Sequence, residues 1–84
     1  TPENRLPVYT EVFIERQRQD EKWGGAENDD QWNALDWYSM IGDYNAWARR
    51  MWAMGSLDKA RNRLIQVAAL AIAAVEAIDR KRKG

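Results

Sequence analysis

Cysteine and histidine are both missing from this chain of 84 residues. Without cysteine there is no disulfide framework and no thiolate metal site. Without histidine the chain lacks the commonest zinc ligand and the usual general base at neutral pH. A bound metal would need carboxylate ligands, which favour Mg²⁺, Mn²⁺ or Ca²⁺ over Zn²⁺. Acid–base chemistry would fall to Asp, Glu, Lys or Tyr side chains.

Long apolar runs are also scarce. The longest run, Val67–Val75, is too short to span a bilayer. No signal peptide is apparent in the sequence. We therefore expect a cytoplasmic protein that has no membrane partner.

Aromatic residues, in contrast, are abundant, with five Trp, three Tyr and one Phe. A chain this short buries only a small core and often needs a disulfide, a metal or a partner subunit for stability. Large aromatic side chains can supply either a core or an interface. We expect packing or oligomerisation to take the place of the missing disulfides.

Apolar residues recur with helical spacing along most of the chain, which predicts an all-α fold in a single domain, residues 1–84. Pro7 suits the first turn of a helix, and Gly24-Gly25 and Gly55-Ser56 suit helix ends. Three helices with short connections predict an up-down-up bundle. The predicted segments are a loose N-terminus at 1–6, helix 1 at 7–23, an acidic loop at 24–31, helix 2 at 32–54 and helix 3 at 57–83.

The predicted third helix carries two apolar seams. One has a heptad-like spacing of 4, 3, 4 and 3 residues, and a second lies beside it at Ile65, Ala69 and Ile72. Helix 2 also has an apolar arc that is too broad for one core face. These features predict a homo-oligomer. The residues of the first seam are Leu64, Ala68, Ala71, Val75 and Ile78, and the expected interface residues of helix 2 are Trp37, Trp47, Met51 and Trp52.

Charge is divided unevenly along the chain although the formal net charge is zero. Residues 1–45 hold ten acidic and four basic residues, and residues 46–84 hold three acidic and nine basic residues. The division is compatible with an anion-binding surface or with pairing between antiparallel helices or subunits. A nucleic-acid domain is usually basic overall, so nucleic acid is not the expected partner.

The up-down-up topology would bring the ends of helices 1 and 3 to one pole of the molecule. Glu76 and Asp79 are three residues apart on one helix face, and with Asp29 and Asp30 they are candidate ligands for a hard cation. The alternative is that these carboxylates form salt bridges or cap helices. Candidate nucleotide-binding residues at the same pole are Arg16, Gln19 and Trp23.

Two stretches together carry a family resemblance. One joins Glu15–Gly24 to Glu27–Asp30, and the other is Arg61–Arg80. The pairing resembles small bacteriophage and prophage proteins that are distantly similar to the MazG-like all-α nucleoside triphosphate pyrophosphohydrolases. The resemblance implies a helical oligomer in the host cytoplasm that uses Mg²⁺ to cleave a nucleotide to a monophosphate and pyrophosphate.

The MazG-like pattern is only partly present in this chain. Glu76-Ala-Ile-Asp79 has the Glu-x-x-Asp spacing, but helix 2 lacks the Glu-Glu-x-x-Glu type of motif and offers only Asp36 and Asp43. No catalytic residue can be assigned. A second hypothesis therefore stays open, that of a non-enzymatic phage protein that binds and inhibits a host enzyme or defence system through the Trp-rich face of helix 2.

Overall fold

The computed structural model describes residues 2–83, and this part of the chain is built from helices without a strand. The elements are α1 (Pro2–Trp23), α2 (Gly25–Asp29), α3 (Ala34–Ala53) and α4 (Leu57–Lys83). The predicted all-α class is therefore confirmed. None of the helices in residues 2–83 is long and apolar enough to cross a membrane.

The first helix begins at Pro2 rather than at Pro7. Residues 3–6, predicted to be loose, are helical, while Thr1 of that segment lies outside the described residues. Pro7 therefore lies inside α1, in its second turn, where its ring removes the N–H that would otherwise donate to the Glu3 carbonyl. In the next turn, Thr10 Oγ1 donates a hydrogen bond to the Leu6 carbonyl at 3.0 Å.

The predicted acidic loop contains the short helix α2. The Gly24 amide donates to the Asp20 carbonyl at 2.8 Å and closes α1. Gly24 and Gly25 have φ angles of 95° and 69°, in the left-handed region that glycine adopts without a steric penalty. The chain therefore reverses direction sharply and folds its acidic residues back toward α1.

The next long helix, α3, starts at Ala34 because Asn33 and Asp36 form a capping box. The Asp36 amide donates to Asn33 Oδ1 at 3.0 Å, and the Asn33 amide donates to Asp36 Oδ2 at 2.9 Å. Trp32, predicted to be the first helical residue, instead precedes the cap.

Helix α4 lies between the other two long helices. Both α1 and α3 pack against it, whereas no Cα atom of α1 comes within 8 Å of a Cα atom of α3 in residues 2–83. The side of α4 that faces them consists mainly of alanines, which allow close helix approach, and Leu70 is its largest fully buried side chain. The buried residues of α4 are Ala60, Ala69, Leu70, Ala73 and Ala77.

The heptad-like seam of α4 does not contribute to this core. Leu64 is 39% exposed, Val75 56% and Ile78 55%. Ala71 is also exposed, and Ala68 is half-buried. The spacing predicted an apolar stripe on this helix, and neither α1 nor α3 covers it, although Ala68 and Ala71 lie on an open surface that α1 also lines.

Candidate functional site

The polar pole of the molecule is organised by Arg16 on α1. Its Nη1 donates to Asp20 Oδ1 at 2.8 Å, and its Nη2 donates to Glu76 Oε1 on α4 at 2.7 Å. The Arg16 side chain is only 16% exposed. The guanidinium therefore joins α1 to the C-terminal half of α4, and both of its terminal nitrogens are engaged.

Gln19, one turn along α1, is buried at 3% exposure. Its Nε2 donates to Glu15 Oε2 at 3.2 Å and to the Gln66 carbonyl at 3.4 Å. Its Oε1 accepts no hydrogen bond from the described residues. A buried amide oxygen without a donor costs free energy, so the Gln19 side chain is only partly satisfied in this fold.

Asp29, at the end of α2, is the second buried polar residue, with 5% exposure. Burial raises the pKa of its carboxyl above the ordinary value of 3.8, and the nearby charge of Arg16 opposes that rise. Asp20 adds to the rise through like-charge repulsion. The pole is thus a partly desolvated cluster of one arginine and several acidic side chains.

Three tryptophans cover this cluster. The Trp23 and Trp32 rings lie 6.0 Å apart between centroids, and the Trp32 and Trp37 rings lie 4.6 Å apart. Together with Leu70 and Ala73, these rings enclose Gln19 and Asp29 and leave no space for a water molecule. The rings could stack on a planar ligand only after one of them moves aside.

The four candidate metal ligands do not converge on one point. Glu76 is paired with Arg16, and Asp30 accepts a hydrogen bond from Arg80 Nε at 2.8 Å. Asp29 is buried under the tryptophans, and Asp79 is exposed. Within residues 2–83 no group of three or more acidic side chains is placed to hold a metal, so magnesium binding stays a prediction.

The four candidate interface residues of α3 have different environments. Trp37 belongs to the core of the chain itself, at 8% exposure, and is therefore not on the surface. Met51 is half-buried. Trp47 is 41% exposed and packs on Tyr44 at 5.3 Å, with the Arg63 guanidinium 4.9 Å from its ring. Trp52, at 61%, is the most exposed of the four.

A larger apolar surface lies between α1 and α4, where the sequence did not predict a site. It is an open groove of about 720 Å³ whose Arg16 end is polar. Its rims include Tyr9 and Phe13, which are 61% and 62% exposed. The available signal was the apolar stripe at Val8, Tyr9, Val12 and Phe13, on a helix whose second half is mainly polar. The apolar lining is Val8, Tyr9, Val12, Phe13, Ala68, Ala71 and Ile72.

No protein-family model, curated protein or solved structure matches this chain.

Proposed function

We propose that this chain is a helical interaction protein that works as a homo-oligomer, and that it assembles through the groove between α1 and α4. The observation that carries the proposal is the exposure of Tyr9 and Phe13 beside Ile72, which is 44% exposed. Contiguous apolar patches on monomeric proteins are seldom large, and larger ones mark interaction sites. A partner helix in the groove would cover all three side chains at once.

The small core of the single chain supports the same proposal. Its α4 contribution is four alanines and Leu70, whereas fifteen large apolar side chains among the described residues are exposed. Because burial of apolar area is the main favourable term in folding, this distribution favours a subunit that completes its core with another chain. The three long helices would then act as one unit of a larger helical assembly.

Sedimentation equilibrium of the whole chain over a range of concentrations tests the proposal. The wild-type chain should show a mass above 9.8 kDa, and Phe13→Glu should shift it toward that single-chain value. Tyr38→Glu is the matched control, because Tyr38 is 74% exposed on α3, away from the groove. A wild-type chain that stays at the single-chain mass at every concentration would overturn the proposal.

A phage-type inhibitor of a host enzyme or defence system would fit within this proposal. The exposed Trp52 on α3 is then the second contact surface, available after the groove is filled by another copy. Trp52→Ala should weaken binding to such a host protein without changing the mass of the oligomer. Loss of the oligomer in Trp52→Ala would place Trp52 in the self-association surface instead.

A second candidate function, nucleotide binding, follows from the MazG-like resemblance. The observation that favours it is the buried Gln19 Oε1 without a donor, beside Arg16 and under Trp23. A nucleobase amino group could donate to that oxygen, while Arg16 could exchange a carboxylate for a phosphate. The tryptophan cover would stack on the base.

Tryptophan fluorescence and thermal unfolding with a panel of (d)NTPs, with and without Mg²⁺, test this second candidate. Binding should change the emission of the Trp23–Trp32–Trp37 cluster and raise the unfolding temperature. Release of pyrophosphate that requires Mg²⁺ would add the enzymatic activity. If neither signal changes at millimolar nucleotide, the nucleotide proposal fails and the interaction proposal is unaffected.

A further inference from the structure

The exposed seam of α4 has the repeat of a coiled coil. Leu57, Leu64, Ala71 and Ile78 are seven residues apart, and Arg61, Ala68 and Val75 form the second seven-residue series between them. Leu57, Leu64, Val75 and Ile78 are exposed at 59%, 39%, 56% and 55%. Alternating spacings of 3 and 4 residues over three heptads are what a facing helix needs for knobs-into-holes packing.

The charges at the ends of this seam decide the direction of a facing α4 helix. In a parallel, in-register pair each seam residue meets its own copy, so Arg61 would meet the partner's Arg61 and Arg82 the partner's Arg82. Like charges at such positions are destabilising. In an antiparallel pair these arginines lie opposite Ile78 and Leu57 of the partner subunit, where their long aliphatic stems can cover apolar surface.

The same antiparallel register places small residues at its centre. With Leu64 opposite the partner's Val75, Ala68 falls opposite the partner's Ala71 on both sides of the two-fold axis. Their short side chains allow the two backbones to approach closely. Ala68 and Ala71 also line the groove, so the incoming helix would lie along the α4 side of the groove.

Charge complementarity supports this register as well. Asp79 is exposed and has no ion-pair partner within residues 2–83. Arg61 is half-exposed, and its guanidinium is held in place by Glu11 of α1. In the antiparallel register, Asp79 lies next to the partner's Arg61, whose guanidinium it would share with the partner's Glu11, and the two-fold axis repeats this contact on the other side of the interface.

We propose that the occupant of the exposed α4 seam is α4 of a second copy of this chain, antiparallel, in the register that sets Leu64 opposite Val75 of the partner subunit. The proposal rests on the proposed function as an interaction protein and specifies its first partner. The resulting interface is isologous, so the same surface is buried on both subunits and the assembly closes as a dimer.

Crosslinking of single-cysteine variants tests the register, since the natural chain has no cysteine to interfere. Leu64→Cys and Val75→Cys are mixed and treated with a short thiol-to-thiol crosslinker. In the proposed register Leu64 lies about 16 Å along the axis from the partner's Leu64, from a rise of about 1.5 Å per residue. The mixture should therefore give covalent dimer, and each variant alone should give several-fold less.

Charge exchange is the second measurement, and it does not depend on cysteine geometry. Asp79→Lys should weaken dimerisation about five-fold, because each subunit would then present a lysine to the partner's Arg61. Asp43→Lys, which makes the same change on the exposed surface of α3, should leave the dimer constant unchanged. Circular dichroism shows whether each variant keeps its helix content.

The outcomes separate this inference from the proposed function. A dimer by sedimentation in which each cysteine variant crosslinks with itself would mean a parallel pair and would overturn the inference alone. A dimer that gives no crosslink in the mixture, with Asp79→Lys unchanged, would overturn it too and move the interface elsewhere. A chain that stays monomeric would overturn both.

Discussion

The guanidinium of Arg16 donates a hydrogen bond of 2.7 Å to Glu76 and so ties α1 to α4 across sixty positions of sequence. Arg16→Met keeps the aliphatic stem and removes this bond and the one to Asp20. We expect the free energy of unfolding to fall by about 1–2 kcal/mol, because hydrogen bonds to charged groups contribute about 1.5–3 kcal/mol and the exposure of Asp20 and Glu76 lowers that value. Urea denaturation followed by circular dichroism measures the loss. Glu76→Gln, which keeps an acceptor, should cost about half as much; an equal loss would contradict this account.

Removal of the buried amide at Gln19 should stabilise the chain. In Gln19→Leu the unpartnered Oε1 is gone, and we expect the free energy of unfolding to rise by about 1 kcal/mol. Gln17→Leu, on the exposed side of the same helix, should change stability by less than about 0.5 kcal/mol. If Gln19→Leu destabilises the chain instead, the hydrogen bonds of Gln19 Nε2 to Glu15 and Gln66 contribute more free energy than the unpartnered Oε1 costs.

Asp29 should make stability depend on pH in the direction opposite to a salt-bridged carboxylate. Because burial raises its folded-state pKa above 3.8, the fold favours the protonated form. At a pH below the ordinary pKa of 3.8 the free energy of unfolding is therefore unaffected by Asp29. It declines as the pH rises through the folded-state pKa. At pH 7, Asp29→Asn should unfold at a higher temperature than wild type. At a pH below the ordinary pKa of 3.8, the two chains should unfold at the same temperature.

The control for Asp29 is its neighbour Asp30, whose charge is paired with Arg80. Asp30→Asn should lower the unfolding temperature at pH 7, since it leaves Arg80 without its carboxylate. If both variants shift in the same direction, the cause is the general charge of the segment rather than the burial of Asp29.

Leu70 is the core residue whose truncation should cost most. It is 1% exposed and belongs to the same core cluster as Trp37, Ala73 and Ala77. Leu70→Ala should lower the free energy of unfolding by about 2–5 kcal/mol, which is the usual range for a fully buried leucine. Leu35→Ala makes the same change at a side chain that is 72% exposed and should cost less than about 0.5 kcal/mol. A small loss at Leu70 would mean that the core closes around the missing side chain.

Much of the helical fold could be predicted because helices depend on local signals. The bounds of α4 coincide with those that Gly55-Ser56 and the basic C-terminal residues indicate. The start of α1 differed because the sequence has two prolines, Pro2 and Pro7, that each suit a first helical position, and the helix begins at the earlier one. The start of α3 differed because the capping box of Asn33 and Asp36 competes with the apolar signal of Trp32.

The burial of α4 could not be predicted from its periodicity. The helix is apolar on two arcs, and the larger side chains of Leu64, Val75 and Ile78 gave the stronger signal. The structure instead buries alanines, since a helix between two neighbours needs small side chains on both sides. Periodicity finds an apolar stripe but does not say whether the chain itself or another chain covers it.

The sequence predicted which residues gather at the polar pole better than it predicted the contacts between them. Arg16 and Glu76 do meet, and Gln19, Trp23 and Asp29 lie around one cluster. The pairing of Asp30 with Arg80 and the cover by Trp32 and Trp37 depend on the turn after Gly24, which a sequence does not specify in three dimensions. Those contacts turn an open acidic pole into a closed, partly neutralised one.

The position of α4 between two helices whose Cα atoms stay more than 8 Å apart divides the chain into parts that respond differently to ionic strength. The ion pairs that join α1 to α4, from Glu11 to Arg61 and from Arg16 to Glu76, are at least partly exposed, and salt screens such charges over about 10 Å at 0.1 M. The contact of α3 with α4 is largely apolar, so low salt does not stabilise it. Added salt should therefore speed amide hydrogen exchange in α1 while the α3–α4 hairpin keeps its protection. The ionic strength of the solution would then control how often α1 separates from α4.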